Sequence, residues 1–333
     1  MTGVVLLTGA TGFLGAVLAT RLAERGERLH AVRRANSDER ALAGLDVAWH
    51  VADLADGPAV ERAVAAAAAE ARDRGVELRV AHSGALISYR TRDREAQRLA
   101  NIEGTRHVVE ACVRHGASRL LHVSSIVAVA HSPSGELLDE SAAFNGADLG
   151  VDYVTTKRAA EELALAAAAR LDVVAVCPGA IFGPTTRASN SAELMRRIAA
   201  GRGPSLAPPG GTSVLGVEDA AEGCVLALER GRRGERYVLA ERALSHFELM
   251  SAVAAHAGAR PPRRRVSRAL WPALRGTVAL VDAVLPRRLV TPQALTMLAL
   301  SWNLDAARAR RELGWSPRPF PDVLASTLDT LLR

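Results

Sequence analysis

A tyrosine and a lysine lie four residues apart in the segment Tyr153-Val-Thr-Thr-Lys157, and the pair Ser124-Ser125 precedes them by about thirty residues. Residues four apart on a helix share one face, so the Lys157 ammonium would lie under the Tyr153 ring and beside a bound ribose. A neighbouring cation favours the ionised phenol and moves its pKa from about 10 toward neutral pH. A serine hydroxyl would hydrogen-bond a substrate oxygen. These groups together predict proton transfer to or from that oxygen.

Lys157 is the only lysine in the chain, and the other 41 of the 42 basic residues are arginine. Together with the abundant alanine and an aromatic content of 4%, this usage indicates a coding bias toward GC-rich codons. A lysine kept against such a bias predicts a role that arginine does not fill. The guanidinium group is planar and bulky, whereas the ammonium is a compact charge.

Three glycines in the segment Gly9-Ala-Thr-Gly12-Phe-Leu-Gly15 follow a short apolar run and open a helical pattern. Glycines at such a turn let the backbone approach a pyrophosphate, and the helix N-terminus adds N–H donors and positive potential. The segment therefore predicts a dinucleotide site. Its spacing is GxxGxxG rather than GxGxxG, which points to one branch of the dinucleotide-binding folds.

The end of the second predicted strand carries Arg33 and Arg34, where an acid would bind the ribose hydroxyls of NAD. Guanidinium groups at this position suit a 2′-phosphate, so NADP(H) is favoured as the cofactor and NAD(H) is the alternative. Asp53-Leu54, at the end of the third strand, would accept a hydrogen bond from the adenine amino group. Aspartate is also a common turn residue.

Strand and helix patterns alternate along the first half of the chain, which is typical of an α/β Rossmann fold with a doubly wound parallel sheet. Residues 1–184 are predicted to form the dinucleotide-binding domain, with a strand returning to its sheet at 235–240. Residues 185–234 and 241–333 are predicted to form a smaller, mostly helical substrate lobe. The predicted strands are 4–7, 29–32, 47–51, 78–82, 119–124 and 172–177, and the predicted helices are 13–25, 58–74, 94–115, 152–170, 189–200 and 217–230.

Composition excludes several classes of protein. With 333 residues, 49% of them apolar, the chain is expected to bury a large core rather than to be disordered. The net charge of +6 comes from basic residues interleaved with acids, which argues against a nucleic-acid partner. Three widely spaced cysteines favour neither a disulfide framework nor a metal site, and they fit a cytoplasmic protein. The N-terminus does not resemble a signal peptide, and no apolar run is long enough for a spanning helix.

Nine segments in order along nearly the whole chain resemble the extended short-chain dehydrogenase/reductase superfamily. They are TGATGFLG (8–15), VAHSGA (80–85), NIEGT (101–105), HVSSIVAV (122–129), YVTTK (153–157), PGAIFGP (178–184), VLGVEDAAEG (214–223), GERYVLA (234–240) and ELGWSPRPF (312–320). They look most like the branch of dihydroflavonol reductases, 3β-hydroxysteroid dehydrogenases and similar bacterial ketone reductases. The resemblance implies that Tyr153 is the general acid, that Lys157 holds the ribose and lowers the tyrosine pKa, and that Ser125 binds the carbonyl. The cofactor site combines these matches with the positions already singled out: Gly9, Thr11, Gly12, Phe13, Leu14, Gly15, Arg33, Arg34, Asp53, Leu54, Ser83, Gly84, Lys157, Pro178 and Gly179.

The favoured function is an NADPH-dependent reductase of a small-molecule ketone or aldehyde, with the reverse oxidation allowed. The alternative is a nucleotide-sugar epimerase or dehydratase with tightly bound NAD, but the segment after the serines lacks the tyrosine-glycine pair common in those epimerases. A dinucleotide-sensing regulator ranks third, because such proteins generally lack the tyrosine and lysine pair. Gly84 also departs from the family pattern, where alanine is usual.

Residues 260–290 combine an arginine cluster with an apolar stretch. A core helix of the substrate lobe is favoured there over contact with a membrane surface. The small and apolar residues at 185–215 and 266–300 favour an apolar substrate, which would be sterol-like, polyketide-like or a long-chain β-keto acid. A homodimer through the tyrosine helix, whose residues 159–169 are rich in alanine, is also expected.

Overall fold

The computed structural model describes residues 3–184, 190–284 and 291–332. Its strands are β1 (Val4–Thr8), β2 (Arg28–Arg33), β3 (Val47–Val51), β4 (Leu78–His82), β5 (Arg119–Val123), β6 (Val173–Pro178), β7 (Ala180–Phe182), β8 (Leu206–Ala207), β9 (Gly211–Gly216), β10 (Arg236–Leu239), β11 (Arg242–Ser245), β12 (Arg264–Arg265) and β13 (Ser301–Trp302). Its helices are α1 (Phe13–Glu24), α2 (Gly57–Arg74), α3 (Arg94–Gln97), α4 (Gly104–His115), α5 (Asp152–Ala166), α6 (Asn190–Ala199), α7 (Val217–Arg230), α8 (His246–His256), α9 (Trp271–Val284), α10 (Pro292–Ala299) and α11 (Phe320–Leu331).

The main sheet has seven parallel strands in the order β3-β2-β1-β4-β5-β6-β10. This order reverses direction between β1 and β4, which creates the crevice where open α/β sheets bind their ligands. The predicted Rossmann-type fold is confirmed. The strand predicted at 235–240 is β10, and it pairs in parallel with β6 at the sheet edge.

Both faces of the main sheet are covered, which explains why its strands are apolar throughout instead of alternating with polar residues. Val5 and Leu7 point into a core shared with α1 and α7, whereas Val4 and Leu6 point into a core shared with α2 and α4. All of β1 is buried as a result. The catalytic candidates follow the carboxyl ends of these strands.

The C-terminal half contains a second, four-stranded sheet that the sequence did not predict. Strand β9 pairs with β7 and β13 in parallel and with β11 in antiparallel fashion. Helices α6, α8 and α11 form an apolar cluster with its residues. Three of these strands are only two to four residues long, too short for a periodic pattern to reveal them.

Two predictions concern the boundaries of elements and lobes. The helix predicted at 94–115 is α3 and α4 joined by a π-helical segment, Arg98–Glu103. The predicted lobe boundary at 185 and the end of the segment 260–290 fall partly on residues 185–189 and 285–290, which lie outside the described residues. The division of the chain into two domains stays a prediction.

The described part of the chain has neither a membrane-spanning helix nor a cluster of metal ligands. None of its helices is long and apolar enough to cross a bilayer. Within the same residues, no group of three or more His, Cys, Asp or Glu side chains is placed to hold a metal ion. The three cysteines are free and buried.

Replacing Gly15 by alanine is expected to destabilise the fold, because a Cβ there would overlap the carbonyl oxygen of Gly9. Overpacking of this kind costs about 1 to 3 kcal/mol of unfolding free energy, which urea titration measures. The matched control is Gly276→Ala in α9, where an added Cβ meets no atom within 4 Å. Equal stability of the Gly15→Ala variant and the wild type would contradict the close approach of these two residues.

Candidate active site and cofactor cleft

A tight turn joins β1 to α1 and leaves no room for side chains at its glycines. Gly9 has φ +71°, in the left-handed region, and a Cβ there would lie 2.7 Å from the amide nitrogen of Gly84. The Gly12 amide donates to the Gly9 carbonyl at 2.8 Å. The backbone of this turn therefore carries no side chains at its glycines, at the carboxyl end of β1 where a dinucleotide pyrophosphate would approach.

The N-terminus of α1 is open to an anion. Its N-cap is Gly12, which offers no capping side chain, and the first turn contains no acidic residue. The free N–H groups and the helix dipole therefore suit a phosphate. Leu14 is buried beneath this turn, whereas Thr11 and Phe13 are half-buried at the cleft. The residues present fit the pyrophosphate of a dinucleotide.

The two arginines at the end of β2 differ in whether their guanidinium groups are free to bind a ligand. Arg33 forms an ion pair with Glu39 at 2.6 Å, and its guanidinium also donates to the carbonyl of Ala35 at 3.3 Å. Arg34 instead lines a cavity of about 610 Å³ together with Arg62 from α2. Sequence reasoning missed Arg62, because only the packing of α2 against β1, β2 and β4 brings it to this cavity.

Asp53 and Leu54 lie beside the same end of the sheet. Asp53 lines the 610 Å³ cavity and accepts a hydrogen bond from the Ala55 amide at 2.9 Å. The Leu54 side chain fills the space over Gly84, where a Cβ would lie 2.8 Å from Leu54 Cδ1. This contact gives a packing reason for glycine at position 84.

The remaining predicted cofactor residues follow β4, across the crevice from β1, and lie at the end of β6. Ser83 follows β4, and its amide donates to the carbonyl of Thr8 at 3.3 Å. Gly179 follows Pro178, and a Cβ there would overlap the Ser213 carbonyl oxygen of β9. Gly179 is thus required for packing between the two sheets, whatever its contact with a cofactor.

Ser125 and Tyr153 meet at the carboxyl end of β5. Ser125 caps a short 3₁₀ turn, Ile126–Ala128, and accepts from the Val127 amide at 3.4 Å. Tyr153 lies in the first turn of α5 and is 8% exposed. Burial raises the pKa of Tyr153, and a hydrogen bond from the Ser125 side chain opposes that rise. The phenol is therefore protonated at neutral pH and lies beside the serine hydroxyl.

Lys157 lies one turn after Tyr153, and its ammonium donates to the Val123 carbonyl at 2.7 Å. The side chain is 3% exposed, and burial lowers the pKa of Lys157 to about 8. In this structure the ammonium is anchored to the end of β5. The expected effect of Lys157 on the tyrosine pKa stays a prediction.

Comparison with known proteins then assigns the family. The model of the NAD dependent epimerase/dehydratase family matches residues 5–240, more than half of the chain. The chain belongs to this family.

Curated members of the epimerase/dehydratase family are similar over almost the full length. The chain is 34% identical to "Sterol demethylase protein B" of Methylococcus capsulatus over 321 residues, covering 94% of this chain and 93% of the relative. It is 30% identical to "Putative dihydroflavonol 4-reductase" of Synechocystis, covering 98% and 94%. Further relatives are named as reductases, ketoreductases and dehydrogenases. The protein is therefore an NAD(P)-dependent oxidoreductase of the extended short-chain type.

A solved structure supports the same placement. The crystal structure of gox2253 superposes with a TM-score of 0.84 at 28% identity, covering 99% of this chain and 98% of that one. The resemblance to the dihydroflavonol reductase and 3β-hydroxysteroid dehydrogenase branch is thus confirmed, whereas the roles of individual site residues stay predictions.

This member of the family also buries a carboxylate beside its lysine, which sequence reasoning missed. Glu161 follows Lys157 by one turn of α5 and is 1% exposed. It accepts from Arg236 Nη1 at 2.9 Å and from the Cys177 thiol at 3.1 Å. The carboxylate charge raises the pKa of Lys157 against the effect of burial. In the sequence, the only indication that Glu161 lies near Lys157 is their four-residue spacing on the helix.

Asn101 fixes the segment that leads from β4 into the cleft. Asn101, on the π-helical segment, accepts from the Leu86 amide at 2.7 Å and donates to the Leu86 carbonyl at 3.0 Å. Its amide also donates to Thr156 Oγ1 on α5 at 3.1 Å. A π turn shifts the following residues around the helix axis, and here the π-helical segment carries Asn101 with its side chain directed inward. Tyr89 follows on this segment, with its ring edge-on to Tyr153 at 5.9 Å.

His82 is held as a structural residue at the end of β4. Its Nδ1 lies 2.7 Å from Thr8 Oγ1 and its Nε2 lies 3.0 Å from Thr105 Oγ1. Burial, followed by the charge of Lys157, lowers the pKa of His82 to about 3. A buried histidine with a lowered pKa and a hydroxyl partner at each ring nitrogen has a packing role rather than a role in proton transfer.

The pKa of Lys157 can be measured directly, because selective isotope labelling of lysine gives one side-chain signal. We predict a titration midpoint near pH 8 by nuclear magnetic resonance, below the ordinary lysine value. In Glu161→Gln the midpoint is expected at lower pH, since the carboxylate that favours the ammonium is gone.

The matched control is Glu162→Gln, the next residue on α5, which is exposed and paired with Arg158. It is expected to leave the midpoint unchanged. An unshifted Lys157 signal in Glu161→Gln, with thermal unfolding showing an intact fold, would mean that the carboxylate does not act on the lysine.

Proposed function

We propose that the protein is an NADPH-dependent reductase of a ketone or aldehyde, working reversibly as an alcohol dehydrogenase. The observation that carries this proposal is the grouping of Ser125, Tyr153 and Lys157 at the carboxyl end of β5, where the Ser125 side chain interacts with the phenol and the ammonium donates to the Val123 carbonyl. The open N-terminus of α1 supports a dinucleotide site in the same fold. The family and the reductase names of its relatives support the same chemistry.

Each side chain has a role in this reaction. The nicotinamide cofactor, when bound, supplies the hydride. Tyr153 donates the proton to the substrate oxygen, and burial keeps the phenol protonated until that step. The Lys157 ammonium holds the ribose and favours the tyrosinate that remains after proton transfer.

The preference for NADPH is carried by Arg34. Its side chain lines the 610 Å³ cavity beyond β2 and β3, and Arg62 adds a second guanidinium to that cavity. Guanidinium groups form several planar hydrogen bonds with a phosphate. Arg33 is already paired with Glu39, so we assign it a smaller part in phosphate binding.

The substrate class is proposed to be an apolar carbonyl compound. One relative is named for a sterol and another for a dihydroflavonol. The substrate of this chain would be sterol-like, polyketide-like or a long-chain β-keto acid. The homodimer and the cytoplasmic location stay predictions.

Tyr153→Phe is expected to lower ketone reduction by about a hundredfold or more, because it removes the general acid. Affinity for NADPH, measured by cofactor fluorescence, should change little. The matched control is Tyr237→Phe, whose hydroxyl contacts Arg232 and Glu312 and lies in β10. The proposal fails if Tyr153→Phe keeps full turnover, or if the purified protein retains NAD and consumes no NADPH with any carbonyl. The second outcome would favour an epimerase.

Arg34→Met is expected to raise the KM for NADPH about tenfold, since a charged hydrogen bond contributes about 1.5 to 3 kcal/mol. The KM for NADH should stay within twofold or so of the wild type. Arg40→Met is the control, because Arg40 is exposed and bonded to Asp38. A parallel rise for both cofactors would show that Arg34 does not recognise the 2′-phosphate.

A further inference from the structure

A second cavity, of about 350 Å³, lies between three parts of the C-terminal half and the loop after β5. Its walls come from residues 131–133, from Leu149, and from the facing parts of α9 and α10. None of the residues assigned to the proposed reaction lines this cavity.

The walls of the cavity are continuous with segments of the candidate active site. The loop 131–133 follows Ser125 within eight residues, and Leu149 precedes Tyr153 by four. Helix α10 is tied to the same site at its other end. Thr291 Oγ1 donates to the Tyr89 carbonyl at 2.6 Å, and Gln293 Nε2 donates to Asp152 Oδ2 at 2.6 Å. The cavity and the catalytic candidates are therefore built on shared elements.

Most of the lining is apolar. Leu149, Pro209, Pro272 and Leu300 line it, together with the ring of Trp271. The indole of Trp271 is 6% exposed and is held by a hydrogen bond from Nε1 to the Leu295 carbonyl at 2.8 Å. Such a surface favours an alkyl or polycyclic group over a sugar or a nucleotide.

Two arginines also line the cavity, and their hydrogen bonds reach neutral acceptors only. Arg268 donates to the Pro133 carbonyl at 3.1 Å and to Ser301 Oγ at 3.4 Å. Arg275 donates to Thr296 Oγ1 at 3.3 Å. Among the described residues, no carboxylate pairs with either guanidinium. Both arginines are exposed to solvent at the mouth of the cavity, and two such cations beside an apolar wall suit an anion carried on an apolar molecule.

We propose that the substrate is an apolar oxo acid, whose carboxylate is bound by Arg268 and Arg275 and whose hydrocarbon part lies against Trp271. This inference rests on the proposed reductase function and narrows its substrate class to compounds that carry a carboxylate. Arg268 lies just before α9, and Arg275 lies in its first turns. A carboxylate suits the planar fork of guanidinium groups.

Binding without turnover tests the site independently of the reaction. Decanoate and methyl decanoate are titrated against the protein, with tryptophan fluorescence and calorimetry as readouts. The acid is expected to bind at least about tenfold more tightly than the ester, because only the acid pairs with the arginines. In the double variant Arg268→Met/Arg275→Met the acid should lose that advantage, while the ester binds as before.

Arg40→Met is the matched control and should leave both affinities unchanged, since Arg40 lies far along the chain in the segment after β2. Arg275→Lys keeps the charge and should keep part of the preference for the acid. Trp271→Phe should remove most of the fluorescence response and leave the calorimetric binding in place.

Turnover provides the second readout. NADPH oxidation is followed with 9-oxodecanoate, whose ketone lies at the opposite end of the alkyl chain from the carboxylate, and with its methyl ester. In the double variant the KM for the acid is expected to rise about tenfold with kcat nearly unchanged, and the KM for the ester should not move.

The two proposals fail in different ways. If neither compound is reduced but the acid still binds through the arginines, the reductase proposal falls and the anion site stands. Equal binding of acid and ester by the wild type, or an unchanged preference in the double variant, overturns the site. Tighter binding of uridine diphosphate than of decanoate, lost in the double variant, also overturns it, because the arginines would then hold a diphosphate.

Discussion

The buried ammonium of Lys157 is the constraint on which most of this structure depends. A cation is costly to remove from water unless nearby groups compensate its charge. Here the Val123 carbonyl accepts its hydrogen bond, and the Glu161 carboxylate raises its pKa against desolvation. Because β5 provides the carbonyl and α5 provides the carboxylate, the packing of strand against helix compensates the charge of the buried lysine.

The buried charge of Glu161 must be compensated in turn, and its partners lie on the strands at one edge of the main sheet. A carboxylate as deeply buried as Glu161 needs its own partners, and these come from β6 and β10 as Cys177 and Arg236. Arg236 also donates to the Glu140 carbonyl at 2.6 Å, while the Glu140 carboxylate accepts from the Val238 amide at 2.8 Å. Strand β10 returns from the far half of the chain, so the chemistry near Tyr153 is supported by residues remote in sequence.

Arginine shows how one residue type takes different roles according to its surroundings. Arg33 and Arg34 are neighbours in the chain, but Arg33 is neutralised by Glu39 whereas Arg34 faces a cavity. Arg268 and Arg275 bond only neutral oxygens within the described residues. An arginine-rich composition with a net charge of +6 therefore says little about ligands until the partners of each guanidinium are known.

The sequence by itself determined the features that depend on local order. The glycine spacing of the first turn, the alternation of strands and helices, and the Tyr153–Lys157 pair follow from residues close together in the chain, and they predicted the fold class and family. Only the tertiary structure decided which groups surround them. Glu161 gains Arg236 from 75 residues away, and Arg62 reaches the cavity beside Arg34 through helix packing. The short strands around β9 were also beyond prediction, because long-range pairing holds them rather than any pattern of their own.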